Sequence, residues 1–140
     1  WIEASISKLS KNSLNIDEFW YLGKIKKLEE HKIKNLDLFY KKEIQKILPI
    51  RLEEFARKMQ LFPTSISFRK NKRTWGSCNF KNGLNFNILL MKFPIEVMDY
   101  VIVHELAHIK HKNHSKDFWN LVAVYCPNYK EIEELFKNFL

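Results

Sequence analysis

Apolar residues recur every three to four positions between Leu36 and Leu61: Leu36, Phe39, Tyr40, Ile44, Ile47 and Leu48, then Leu52, Phe55, Ala56 and Met59. That spacing puts them on one stripe of an α-helix. Pro49 falls inside the run and predicts a kink or a restart, because proline donates no N–H and its ring meets the carbonyl four residues back. Upstream, Ile2, Ile6 and Leu9 punctuate a polar Ser/Lys/Asn-rich stretch over residues 1–17. A short amphipathic helix fraying toward a turn near Asn12–Asn15 fits that spacing. Phe19-Trp20-Tyr21-Leu22, then Gly23, then Lys24 to Leu28 reads as strand, tight turn and strand.

Phe62-Pro63 closes the helical half. Ser65-Ile66-Ser67-Phe68-Arg69 alternates as a strand does. Arg73 to Cys78 and Leu84 to Ile88 flank the turn-rich segment Asn79-Phe80-Lys81-Asn82-Gly83, which predicts an antiparallel hairpin. Pro94 suits the first turn of a helix. Ile95, Met98, Val101, Ile102 and Ile109 make that helix apolar around much of its circumference, so it is expected to be the buried central element. Ser115 reads as the N-cap of a helix running to about Tyr125. Pro127 breaks it, and Tyr129 to Leu140 forms a last amphipathic helix. The expected class is α+β, mostly helical, with a small antiparallel or mixed sheet beside a central helix. The 140 residues make about one domain. Residues 1–62 form its mainly helical part, and residues 63–140 hold the hairpin, the central helix and the C-terminal helices.

Composition narrows the class without deciding it. With 46% apolar and 14% aromatic residues, the chain can build a packed core. No run approaches the ~18 apolar residues of a membrane span, and no basic leader with an apolar run and cleavage site is visible. The chain opens on Trp1 rather than Met, which suggests an excised or processed domain. Cys78 and Cys126 have no Cys-x-x-Cys spacing, and a reducing, cytoplasmic setting is the simpler reading. The net charge of +8 rests on twenty Lys and four Arg. Arg is the better phosphate fork, so a solvated lysine surface is the plainer explanation and nucleic acid the sharper one.

The chemistry is concentrated in His104-Glu105-Leu106-Ala107-His108-Ile109-Lys110-His111-Lys112-Asn113-His114. His104 and His108 stand four apart, so on a helix both imidazoles leave one face a turn apart. Glu105 beside them can reach a water held between the rings. This His-Glu-x-x-His spacing supplies two nitrogen ligands for zinc and a carboxylate to take a proton from zinc-bound water. A buried His and Glu left bare on such a helix would be costly, and a metal is one compensating partner. A structural zinc fits less well, because structural sites are closed by four ligands rich in Cys.

A catalytic zinc takes a third protein ligand, for which His111 and His114 compete. On a continuous helix His111 lies seven residues beyond His104, about 10.5 Å along the axis. Three imidazoles spread over that rise cannot each reach within ~2.0–2.1 Å of one ion. Asn tolerates the left-handed conformation that ends helices, so Lys112-Asn113 offers a turn that brings His114 back. His114 is the expected third ligand, and His111 a rim residue. Asp117 is placed to orient His114, or else serves as an exposed acid in the first turn of a helix. Trp75 and Trp119 read as packing residues, and Cys78 as a structural thiol.

Beyond these residues lies a resemblance. Arg73-Thr74-Trp75-Gly76-Ser77-Cys78, Asn85-Phe86-Asn87, Pro94, His104-Glu105-Leu106-Ala107-His108, Asn113-His114-Ser115 and Phe118-Trp119 together resemble the YgjP-like metallopeptidase domain, related to SprT-like and WLM peptidases of the zincin group. It is strongest over residues 65–127. The resemblance implies a zincin-like fold, proteolysis, Zn²⁺ held by His104, His108 and His114, and Glu105 as general base. In that reaction Zn²⁺ lowers the pKa of its water toward ~7, and Glu105 moves the proton from water to the leaving amine. The strand region from Trp75 to Asn87 is expected to hold an extended protein or peptide substrate by edge pairing. His111, Arg73 and Tyr125 are the candidates to stabilise the oxyanion or contact substrate. The competing function is a DNA-associated module with secondary or lost peptidase activity. Arg69-Lys70-Asn71-Lys72-Arg73-Thr74-Trp75 would supply its charge and its stacking ring.

Overall fold

The structure is a computed structural model and describes residues 14–136. The predicted helix over 1–17 therefore lies largely outside the described residues; Ile16–Asp17, which are described, form a turn. Strand β1 (Glu18–Tyr21) turns through Leu22-Gly23 into β2 (Lys24–Lys27), antiparallel, with Tyr21 opposite Lys24. Gly23 has φ +82°, and a Cβ there would lie 2.8 Å from Pro94 Cγ. The turn thus abuts the start of the central helix, and only glycine fits without strain.

Asn35 caps α1 (Leu36–Met59) by accepting the Leu38 N–H, as its short polar side chain favours. The helix runs through Pro49 without a restart. Tyr40, Ile44 and Leu48 before the proline and Leu52, Ala56 and Met59 after it are all buried in the same core. One packed face on both sides of the proline outweighs the single backbone bond it removes. Gln60, in the left-handed conformation with φ 57°, ends the helix.

Strands β3 (Ser65–Arg69), β4 (Gly76–Cys78) and β5 (Gly83–Asn87) form a mixed sheet of order β3-β5-β4. β5 lies parallel to β3 and antiparallel to β4. The hairpin is as expected, but β4 starts three residues later than Arg73. Residues 71–74 instead form a loop held by buried Asn87, whose Nδ2 donates to the Asn71 and Thr74 carbonyls. A 3₁₀ turn (Ile88–Lys92) leads to α2 (Ile95–Lys110), entered through Pro94. Helix α2 is buried at nine of its sixteen positions. Ser115 caps α3 (Lys116–Tyr125) by accepting the Phe118 N–H, and α4 begins at Tyr129 and is described to Phe136. Helices and two small sheets together make an α+β fold.

Candidate metal centre

Helix α2 carries His104 and His108 on adjacent turns, their ring centroids 4.9 Å apart. His114 arrives from the following turn, with centroids 5.3 Å from His104 and 4.7 Å from His108. One donor nitrogen from each of the three lies within 4.8 Å of the others. His108 Nε2 and His114 Nε2 are 3.1 Å apart, close to the ~3.3 Å expected of two nitrogens bound to one tetrahedral ion.

The tautomers suit ligation. His108 Nδ1 lies 3.0 Å from the His111 carbonyl oxygen; a carbonyl only accepts, so Nδ1 bears the proton and Nε2 keeps its lone pair. His104 Nδ1 stands 3.1 Å from Glu105 Oε2, which leaves the Nε2 of His104 as its ligating atom. Burial pushes the His108 pKa below the ordinary histidine range, outweighing the bond to the His111 carbonyl. A neutral imidazole is the form a metal needs. Three imidazole donors suit zinc, copper, iron or nickel, so the residues present fit a divalent ion.

The turn is not built as its sequence suggests. Helix α2 ends at Lys110, and His111, with φ −124° and ψ 103°, leads the chain out in an extended conformation. Asn113 is not among the residues with positive φ. His111 therefore misses the three-histidine group for a different reason from helical rise: it has already left the helix, and it contributes its carbonyl to His108. Aromatic rings hold the site from below. Phe118 stacks on His108 at 4.3 Å, and Trp119 lies over His114 and against Tyr129. Trp119 is thus a packing residue whose packing is against a candidate ligand.

Glu105 is only 5% exposed, and β4 passes directly over it. A Cβ at Gly76 would lie 3.0 Å from Glu105 Cγ and 3.0 Å from Val101 Cγ1, so glycine lets the strand approach the carboxylate. Two clefts of ≈ 280 and ≈ 270 Å³ meet at Gly76, His104, Glu105 and His114. The first is walled by Arg73, Trp75, Tyr100 and Glu133, and the second by Cys78, His108 and Lys112.

The three oxyanion or substrate candidates separate clearly. Arg73 stands on the cleft wall. Tyr125 does not, since its hydroxyl donates to the Lys58 carbonyl at 3.1 Å at the far end of α1. The His111 carbonyl oxygen faces His108 Nδ1, and its ring is not one of the three clustered donors. Asp117 lies exposed in the first turn of α3, and Cys78 is not one of the three clustered donors. Two contacts at the site have no counterpart in the sequence pattern: the Lys112 side chain reaches back to the hairpin, and the Tyr100 hydroxyl bonds Glu133. Tyr100 itself had a visible signal: it sits one turn before His104, hence on the same helix face.

A deep carboxylate beside three convergent imidazoles, in a cleft roofed by an edge strand, defines a metal-dependent hydrolase. The chain belongs to the YgjP-like metallopeptidase domain family, which it matches over residues 2–139. It is a metallopeptidase. Its fold is similar to that of the metallopeptidase zymogen abylysin from Pyrococcus abyssi, at 24% identity and a TM-score of 0.59, covering 65% of this chain and 93% of that one. It is also similar to the metallopeptidase zymogen jannalysin from Methanocaldococcus jannaschii, at 26% identity and 0.58, covering 66% and 97%. No curated protein matches the chain.

Proposed function

We propose that the chain is a zinc peptidase with a zincin-like site, in which His104, His108 and His114 hold the ion and Glu105 is the general base. The observation that carries this reading is the convergence of three imidazole nitrogens within 4.8 Å beside a buried carboxylate. Three protein ligands leave a fourth position, as catalytic rather than structural zinc requires. When bound, Zn²⁺ supplies Lewis acidity and makes water acidic near neutral pH.

The chain's own residues do the rest. Glu105 accepts a proton from the attacking water and returns it to the departing amine. Low exposure strengthens its electrostatic effect on that proton. The His111 carbonyl and the Glu105 carboxylate hold the rings of His108 and His104 in their ligating tautomers. Among the described residues β4 pairs with β5 on one side, so its other edge can take an extended protein or peptide strand and lay it across Glu105. Arg73, on the same cleft, is the remaining side chain of the three suited to an oxyanion or substrate carbonyl.

DNA association receives less support. Lys70 of the basic loop is paired with Asp37 at 3.0 Å, and Trp75 packs against Phe93 in a T-shaped pair with ring centroids 4.9 Å apart. Affinity for single-stranded DNA should be negligible even at low salt, and a steep salt-dependent affinity would revive that function. Cys78 and Cys126 are both free, which fits a reducing, cytoplasmic setting.

The reading is tested by casein cleavage with metal analysis. Activity should vanish with a chelator and return with zinc. His114→Ala should lose most of its zinc and His111→Ala should retain it; the reverse pattern would mean that the third ligand is His111.

A further inference from the structure

One side chain joins the turn that carries His114 to the hairpin that carries the edge strand. Lys112 lies between the end of α2 and His114, and its ammonium faces three acceptors of the β4–β5 hairpin. It donates to Asn82 Oδ1, lies 3.3 Å from the Asn79 carbonyl oxygen and 3.8 Å from Cys78 Sγ. An ammonium has three donors and no acceptor, so these contacts match its capacity.

The hairpin tip is built to receive it. Asn82 adopts a left-handed conformation with φ 67°. Asn79 Oδ1 accepts the N–H groups of Lys81 and Gly83, each at 2.9 Å, and Asn79 N donates to the Gly83 carbonyl at 3.0 Å. The tip is therefore a closed unit whose carbonyl and amide are already oriented. Strand β4 has three residues and, among the described residues, pairs with β5 alone. So short a strand needs a second anchor if its free edge is to hold a fixed height over Glu105.

We propose that Lys112 is a positioning residue: it clamps the tip of the β4–β5 hairpin to the metal-ligand turn and so fixes the edge on which peptide substrate pairs. This rests on the three-histidine site reading. The same ammonium, lining the cleft with His108 and His114, suggests a competing role as an anchor for a substrate carboxylate. Three facing hairpin acceptors favour the clamp.

The test compares zinc-loaded wild type, Lys112→Met and Lys112→Arg. Lys112→Met should keep its zinc and its melting temperature. Amide exchange at Lys81, Asn82 and Gly83 should become faster on the order of 10-fold, the loss of one charge-assisted hydrogen bond. KM for a ten-residue peptide should rise on the order of 5- to 10-fold with kcat within about 2-fold, because an edge that must be ordered on binding weakens ground- and transition-state binding alike. A short blocked dipeptide amide, too small to pair along the strand, should be cleaved as by wild type. Lys112→Arg should recover most of the loss, since a guanidinium still offers donors to the same acceptors. Unchanged exchange at residues 81–83 overturns the clamp. A KM effect confined to peptides with a free C-terminal carboxylate overturns it in favour of the anion anchor. If wild type cleaves neither peptide, the site reading has failed, and the exchange measurement alone decides the clamp.

Discussion

Gly76 sits directly over Glu105. With a methyl group at Gly76 placed 3.0 Å from Glu105 Cγ and Val101 Cγ1, Gly76→Ala must move either the strand or the carboxylate. We expect kcat to fall on the order of 10-fold or more, since small misplacements of a catalytic group are expensive, with zinc content unchanged; wild-type kcat would show that Glu105 has room to spare. The two thiols also behave differently from free cysteine. Burial, with Asp99 assisting, pushes the Cys126 thiol from 9.0 up to about 11. A raised acid pKa favours the protonated thiol in the folded state. Its contribution to stability is therefore whole below pH 9 and is lost as pH rises through about 11. Replacing Cys126 with Ala should flatten the stability–pH curve in that window, and an unaltered slope in chemical denaturation would contradict the assignment. Native Cys126 should likewise resist thiol reagents at pH 8 until the protein is unfolded.

Helix α2 is held by its neighbours as well as by its own apolar surface. Arg51 of α1 grips Asp99 through two bonds of 2.6 Å, a fork geometry that lysine cannot copy. Asp99→Ala should cost about 1.5–3 kcal/mol in urea denaturation; a change below about 0.5 kcal/mol would mean that the pair is no tie. At this scale the sequence was most readable where a periodic run met a capping residue. Asn35 and Ser115 open their helices by accepting backbone N–H groups, and Pro94 precedes α2. It was least readable where long-range packing decided. Pro49 predicts a kink or a restart, and the core on both sides carries the helix through it without a restart. The exit from α2 was expected through a left-handed Asn113, and an extended His111 makes it instead, because its carbonyl completes a bond to His108 that no local rule anticipates.

For the molecule as a whole, the chemistry was legible because it is compressed into eleven consecutive residues, and the family match over 2–139 identifies the chain as a metallopeptidase. The roof of the site was not legible. Gly76 over Glu105, Asn87 bracing the 71–74 loop and Lys112 reaching the hairpin all join segments distant in sequence, and they depend on a mixed sheet whose central strand is last in order. Of the oxyanion or substrate candidates drawn from residue type, Arg73 lines the cleft, whereas the Tyr125 hydroxyl is bonded to the Lys58 carbonyl. The central claim is that the deep carboxylate performs the chemistry. Glu105→Gln preserves shape while removing the base, so the most direct measurement is its initial rate of peptide cleavage at matched zinc occupancy. The rate should fall by about 10²–10⁴-fold with zinc still bound at one ion per chain. Turnover near that of wild type would contradict the assignment of Glu105 as general base.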